Sequence, residues 1–151
     1  MNRKTKKRIL LAIALVIVGA GATGFYLFNK KHFSVDSATT VADITAVALH
    51  QTFVKDSAYA KNKFIGDEAN QKVIRVDGDI AAIKEDQQGN TIVLLKTATD
   101  GAFINCTLEG KTENINSGNK IAIKGICTGY NYDADMGIPG DVILNRCFII
   151  K

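Results

Sequence analysis

Residues 73–83 read Val73-Ile74-Arg75-Val76-Asp77-Gly78-Asp79-Ile80-Ala81-Ala82-Ile83. Apolar and polar side chains alternate with period 2, the pattern of a strand with one face buried. Gly78 marks a bend or bulge within it. Working toward the C-terminus, Asp86-Gln87-Gln88-Gly89-Asn90 is a turn. Thr91–Lys96 and Ala102–Leu108 are the second and third strands, turned by Thr99-Asp100-Gly101. Residues 110–119 form a polar loop. Lys120–Thr128 is the fourth strand, alternating through Ile121, Ile123 and Gly125, and Asp141–Ile150 is the fifth. Five strands, one long and bent at glycine, predict a closed or partly closed barrel over about residues 72–151, because closure removes exposed sheet edges.

Toward the N-terminus the period changes. Val41, Ile44, Val47 or Ala48, Leu49 and Phe53 recur at helical spacing, and Thr40-Val41-Ala42-Asp43 has the form of a capping box. A helix is therefore expected from about residue 40. A second short helix, about Ser57 to Lys63, carries Tyr59 and Phe64 at its apolar edge and ends at Gly66-Asp67. The fold class is mainly β with N-terminal helices (α+β), over residues 39–151.

Farther back, Ile9–Phe28 holds twenty residues without a charge. At 1.5 Å per residue that length crosses a hydrocarbon core of about 30 Å. Five basic residues precede it in residues 1–8, and Lys30 and Lys31 follow. The side richer in Lys and Arg stays cytoplasmic, so residues 9–28 are expected to be a single-pass transmembrane anchor with the N-terminus inside. Phe25, Tyr26 and Phe28 stand at its outer end, where amphipathic rings favour the interface. Residues 29–38 read as a polar spacer. Ala20-Gly21-Ala22 resembles a signal-peptidase site, but apolar character resumes beyond Gly24, and a cleaved signal core runs only about 7–15 residues. The expected location is the bacterial inner (cytoplasmic) membrane, with the C-terminal domain periplasmic or extracellular.

The formal net charge of +4 reflects that anchor. All seven charges in residues 1–31 are positive, which leaves 12 Lys and Arg against 15 Asp and Glu, a net of −3, for the rest. A nucleic-acid binder ordinarily shows a basic face, since neutralising phosphates supplies most non-specific affinity.

Three cysteines, Cys106, Cys127 and Cys147, fit no zinc-ligand spacing. In an oxidising compartment they allow one disulfide. The expected pair is Cys127–Cys147, between the last two strands. Cys106–Cys127 is the alternative, since connectivity is not fixed by sequence. The only histidines, His32 and His50, have no nucleophile signature beside them, and no phosphate loop or zinc-protease helix is present. No enzymatic site, cofactor or metal is expected. Asn131-x-Asp133-x-Asp135 spaces oxygen ligands, but Met136 stands where a calcium loop needs glycine, and Val142 where it needs glutamate.

Binding chemistry remains. Tyr130, Tyr132, Met136 and Ile138 lie in the stretch between the fourth and fifth strands, and aromatics and Met are enriched at interface cores. With Phe103 and Lys124 on the barrel, they form the candidate ligand-contacting set. A tethered, acidic barrel of this kind suits a protein or envelope ligand. Single-stranded nucleic acid or an oligosaccharide on the barrel face is the alternative, and for nucleic acid the tyrosines would have to stack bases.

Several segments together resemble a known family. They are Asp56 with Ala58-Tyr59, then Val73–Ile80, then Asn90-Thr91-Ile92-Val93-Leu94, then Asn105-Cys106-Thr107. Two more follow: Gly118-Asn119-Lys120-Ile121-Ala122-Ile123-Lys124-Gly125-Ile126-Cys127-Thr128-Gly129-Tyr130, and Val142-Ile143-Leu144-Asn145-Arg146-Cys147. The chain is similar, over about residues 40–151, to the tRNA-anti-like family of OB-fold proteins, small bacterial envelope proteins with an N-terminal anchor. The resemblance implies a five-stranded OB barrel. It does not imply tRNA binding, since one fold hosts many functions. One departure is the longer loop Asn131–Gly140, in a position that OB-folds use for ligands.

Overall fold

The computed structural model of the chain describes residues 34–67, 70–110, 115–133 and 137–150, together with Gly19, Gly21, Thr23 and Phe25. It divides into two units, Met1–Phe33 and Ser34–Lys151. In the first, the four described residues are helical, and the Thr23 hydroxyl donates to the Gly19 carbonyl at 2.8 Å. Among the described residues no helix is long and apolar enough to cross a membrane. Most of the expected anchor Ile9–Phe28 lies outside them.

The second unit runs β1 (Ala42–Thr45), α1 (Ala46–Lys55), α2 (Ser57–Phe64), β2 (Val73–Glu85), β3 (Thr91–Lys96), β4 (Phe103–Leu108), β5 (Lys120–Asp133) and β6 (Ile138–Ile150). The strands follow the order β2-β3-β4-β6-β5, and β5 pairs back onto β2, which closes a five-stranded barrel. All barrel pairings are antiparallel except β4 with β6. This is the five-stranded barrel that the resemblance implies.

A sixth strand was not expected. Ala42–Thr45 pairs in parallel with β2, Ala42 against Ile74 through Thr45 against Asp77. The helix begins only at Ala46. Its N-cap is Thr45, whose hydroxyl accepts from the Ala48 amide at 3.2 Å. Thr40 instead bonds the Asp43 carboxylate. The four-residue alternation Ala-Asp-Ile-Thr suits either element locally, and pairing with β2 decides it.

Asp56 joins the helices. Its amide closes α1 on the Thr52 carbonyl, and its carboxylate caps α2 by accepting from the Tyr59 amide at 2.9 Å. Helix α1 packs against β1, β2, β3, β4 and β6. Leu49 and Phe53 thereby join the barrel core of Ile74, Val76, Ile80, Val93, Leu95, Ile104 and Leu144. Burying the Phe53 ring alone stabilises by about 1.5–3 kcal/mol. Gly78 serves this packing. Register runs unbroken through it against Ile121, and the irregularity falls at Ala81. A Cβ on Gly78 would meet the Ala46 Cβ at 2.9 Å, so glycine lets the start of α1 rest on the strand.

In β6, Leu144 and Cys147 are three residues apart, yet both are fully buried in the same core. Period 2 alone cannot place them so. A bulge does: Arg146 adopts φ 52°, the register slips between Cys106/Leu144 and Leu108/Cys147, and the Arg146 Nε donates to Glu109 at 3.1 Å. The bulge sets Cys147 opposite Gly125, where a Cβ would lie 2.5 Å from its Sγ. Cys127 stands opposite Leu144. The expected Cys127–Cys147 disulfide is therefore absent, and Cys106, Cys127 and Cys147 are free, buried thiols. Burial pushes the Cys127 thiol up to about 12. The Cys106 thiol beside Cys147, with burial, raises Cys147 well above its ordinary value.

A second, smaller cluster lies on the outer wall. Val35 is fully buried there against Val73 and Ile126, with Ala38 and Phe148 alongside. The segment from Ser34 to Thr40 is thus a strap on the barrel. The Lys124 ammonium holds it by donating to the Asp36 carbonyl at 2.9 Å, and the Val41 amide donates to the Val73 carbonyl at 2.8 Å.

Candidate functional site

The stretch expected as an irregular loop between the last two strands is mostly ladder. Strands β5 and β6 run on past the barrel as a hairpin, pairing Tyr130 with Val142, Tyr132 with Pro139 and Asp133 with Ile138. Side chains two apart on a strand share a face. Tyr130 and Tyr132 accordingly lie side by side, their ring centroids 6.4 Å apart and their planes 27° from parallel.

Tyr130 also packs on Phe53, 5.2 Å between centroids, and Phe53 on Phe64 at 6.1 Å. The result is a file of four rings running from the core under α1 to the surface, where Tyr132 is 56% exposed. His50 of α1 meets Tyr130 edge-on at 6.1 Å. It is fully buried, and its Nε2 lies 3.0 Å from the Gly140 carbonyl oxygen. A carbonyl can only accept, so Nε2 carries the hydrogen and Nδ1 of the neutral ring is an acceptor. The described residues offer a partner neither to that Nδ1 nor to the buried Tyr130 hydroxyl. Burial, with Tyr132 alongside, raises the Tyr130 phenol above its ordinary value.

Over these rings lies an open groove of about 600 Å³, lined by Tyr130, Asn131, Tyr132 and Ile138–Gly140, with Gly101 at its edge. Among the described residues, none that lines it is charged. The ladder skips Asn131, and Gly140 packs so closely that a Cβ there would lie 2.6 Å from the Asn131 carbonyl oxygen. The Asp141 carboxylate pins the hairpin base by accepting from the Phe103 amide at 2.8 Å.

The structure gathers some of the expected residues and separates others. Tyr130 and Tyr132 form the groove. Phe103 stands on β4 beside the hairpin base, half-buried and outside the lining. Lys124 points to the outer wall and holds the strap. Met136 lies outside the described residues, as does Asp135. Sequence reasoning missed His50 and Phe53 as supports of the site. Pro139 and Gly140 were expected within the ligand loop Asn131–Gly140 but not as paired strand. The available signal was the alternation of Tyr130 and Tyr132, which carries the strand period past Thr128. Among the described residues no group of three or more His, Cys, Asp or Glu is placed to hold a metal.

A closed barrel carrying an exposed aromatic groove defines a small OB-fold binding domain. The tRNA_anti-like family matches residues 1–147, and the chain belongs to that family. No curated protein matches the chain.

Proposed function

We propose that this protein is a non-catalytic, membrane-anchored binding module, with Ile9–Phe28 as its single-pass anchor and its barrel on the periplasmic or extracellular side. The β5–β6 hairpin recognises a protein or envelope component. The observation that carries this reading is the exposed Tyr132 ring stacked on a supported Tyr130, with Ile138 half exposed beside it. Exposed aromatics on a rigid scaffold are the anchors of recognition surfaces. The single-stranded nucleic-acid alternative draws no support from this groove, where no described lining residue is the basic group that a phosphate backbone requires.

The test is cross-linking of the full chain in its native membrane, comparing wild type with Tyr132→Ala. A partner lost from the variant supports the hairpin. Identical capture by both refutes it. In parallel, anisotropy with labelled single-stranded oligonucleotides at low and physiological salt is expected to show no binding. Salt-sensitive binding surviving physiological salt would favour the nucleic-acid reading.

A further inference from the structure

We propose that the corner where α1 meets α2 docks on the anionic phospholipid surface of the membrane that carries the anchor. This rests on the anchor reading above and goes beyond it by naming the face of the domain that meets the lipid.

The corner has the chemistry of an interfacial surface. Val54 and Tyr59 stand 47% and 53% exposed on either side of Asp56. Helix α2 buries only Ala60 and Phe64, and leaves Ala58, Tyr59, Lys61, Asn62 and Lys63 in solvent. By sequence, residues 54–65 hold three lysines and one acid, although the domain beyond residue 31 has a net charge of −3. That one acid, Asp56, turns its carboxylate onto the Tyr59 amide as a helix cap. Lys55, Lys61 and Lys63 make no ion pair among the described residues. The Lys63 ammonium instead lies 5.5 Å from the Tyr59 ring centroid and 5.3 Å from that of Phe64. A ring face attracts a cation without neutralising it, so the charge remains open to a lipid phosphate. A phenol at the boundary with ammonium groups on long stems around it is the composition that settles among lipid headgroups.

Position selects the bilayer as the occupant. The Lys72 ammonium donates to the Asn62 carbonyl, which ties α2 to the start of β2. The next residue, Val73, packs on Val35 of the strap. The chain therefore enters the domain beside the C-terminal end of α2. Only residues 29–34 separate the proposed anchor from Val35, a reach under about 25 Å. A domain of about 120 residues is roughly 35 Å across, so the face beside its entry point stays close to the bilayer.

The magnitudes agree with a tethered contact. Each lysine near an anionic membrane surface contributes a factor of about five. Three contribute about a hundredfold, too little to hold a free protein on lipid. A short tether supplies an effective concentration in the millimolar range, and at that concentration the same contact suffices.

The experiment reconstitutes the full chain in vesicles of phosphatidylcholine, alone or mixed with phosphatidylglycerol. An environment-sensitive dye is attached at Ala58→Cys or, as the remote control, at Gln88→Cys in the turn beyond the far end of the 13-residue β2. The native thiols are buried and stay unlabelled. A nitroxide on the lipid headgroup is the quencher. In the mixed vesicles the dye at position 58 is expected to be quenched well above the dye at position 88, and high salt should reverse this. Replacing both lysines by glutamine, Lys55→Gln with Lys61→Gln, should shift the docked-to-free ratio about 25-fold toward free. Both side chains are exposed, so the circular dichroism spectrum should not change. Equal quenching at the two positions, or quenching at position 58 that is the same in neutral and mixed vesicles, overturns the docking. Alkaline carbonate extraction separates this from the anchor reading. A chain that resists extraction while position 58 stays unquenched leaves the anchor standing and removes the docked face. A chain that carbonate extracts removes both.

Discussion

Replacing Gly125 with alanine should damage the barrel through one atom. The new Cβ would lie 2.5 Å from the Cys147 Sγ, more than 1 Å inside the usual contact distance of about 3.5–4 Å. Cys147 is fully buried, and the Arg146 bulge fixes its backbone, so the sulfur has little room to retreat. Overpacking of this kind costs about 1–3 kcal/mol, and this site belongs near the top of that range. The loss of unfolded-state freedom on Gly→Ala returns about 0.4–1 kcal/mol, leaving a net of about 2 kcal/mol. For a domain of about 120 residues that lowers Tm by roughly 8–10 °C. Cys147→Ala alone removes one buried atom and should cost about 1 kcal/mol. In the double variant the sulfur is gone, and the nearest remaining atoms are the Asn145 carbonyl oxygen at 3.4 Å and the residue 147 Cα at 3.5 Å, both ordinary contacts. The double variant should therefore match or exceed the stability of Gly125→Ala, with a coupling of about −2 kcal/mol. Urea unfolding of the full chain in detergent micelles, followed by circular dichroism, measures all four corners. Additivity within about 0.5 kcal/mol would refute the steric account.

Three further outcomes are expected. Native protein should leave Cys106, Cys127 and Cys147 unmodified by a thiol-specific disulfide reagent at mildly alkaline pH, and denaturation should release three equivalents, because all three are buried and burial holds Cys127 at about 12. The Asn90 side chain, followed by backbone amides of the turn, holds the Asp86 carboxyl below its ordinary 3.8. Its contribution to stability is thus complete above the unfolded value and disappears as pH falls through the lower folded one. Carboxylate NMR titration should place Asp86 below 3.8 in wild type and higher in Asn90→Ala, and a wild-type midpoint at or above 3.8 would contradict the turn's hydrogen bonding. At the bulge, Arg146→Val should lower stability by about 2 kcal/mol, because a β-branched residue tolerates φ 52° poorly, whereas Arg146→Asn should cost less than half as much. Equal losses in the two variants would show that the Glu109 contact, not the backbone, dominates there.

The barrel was legible because its strands obey period 2 over long stretches. Val73–Ile83 and Lys120–Thr128 can hardly be read otherwise, and Thr91–Lys96 is bounded by turns on both sides. What escaped the sequence was tertiary in origin. Ala42–Thr45 is too short to declare itself, and Val41, Ile44 and Ala48 counterfeit a helical face. The hairpin extension is rich in Asp, Gly and Pro, which locally favour turns, and pairing across two irregularities overrides them. Nothing in Asn145-Arg146-Cys147 announces a left-handed residue, so the register that sets Cys127 opposite Leu144 and not Cys147 was not legible. Of the site, the two tyrosines were visible as candidates. His50 and Phe53 were visible only as helix positions, because their role depends on which hairpin residue lies across from them.

The strap from Ser34 to Thr40 also has a mechanical meaning. Tension entering the domain along its N-terminal chain meets Val35 and the Lys124–Asp36 bond first, then the short ladder of β1. Val35, Asp36 and β1 lie outside the five strands that close the barrel, and only Lys124, on β5, reaches them from the wall. In the anchored protein proposed above, tension would load this strap before it reached the five strands that carry the hairpin groove.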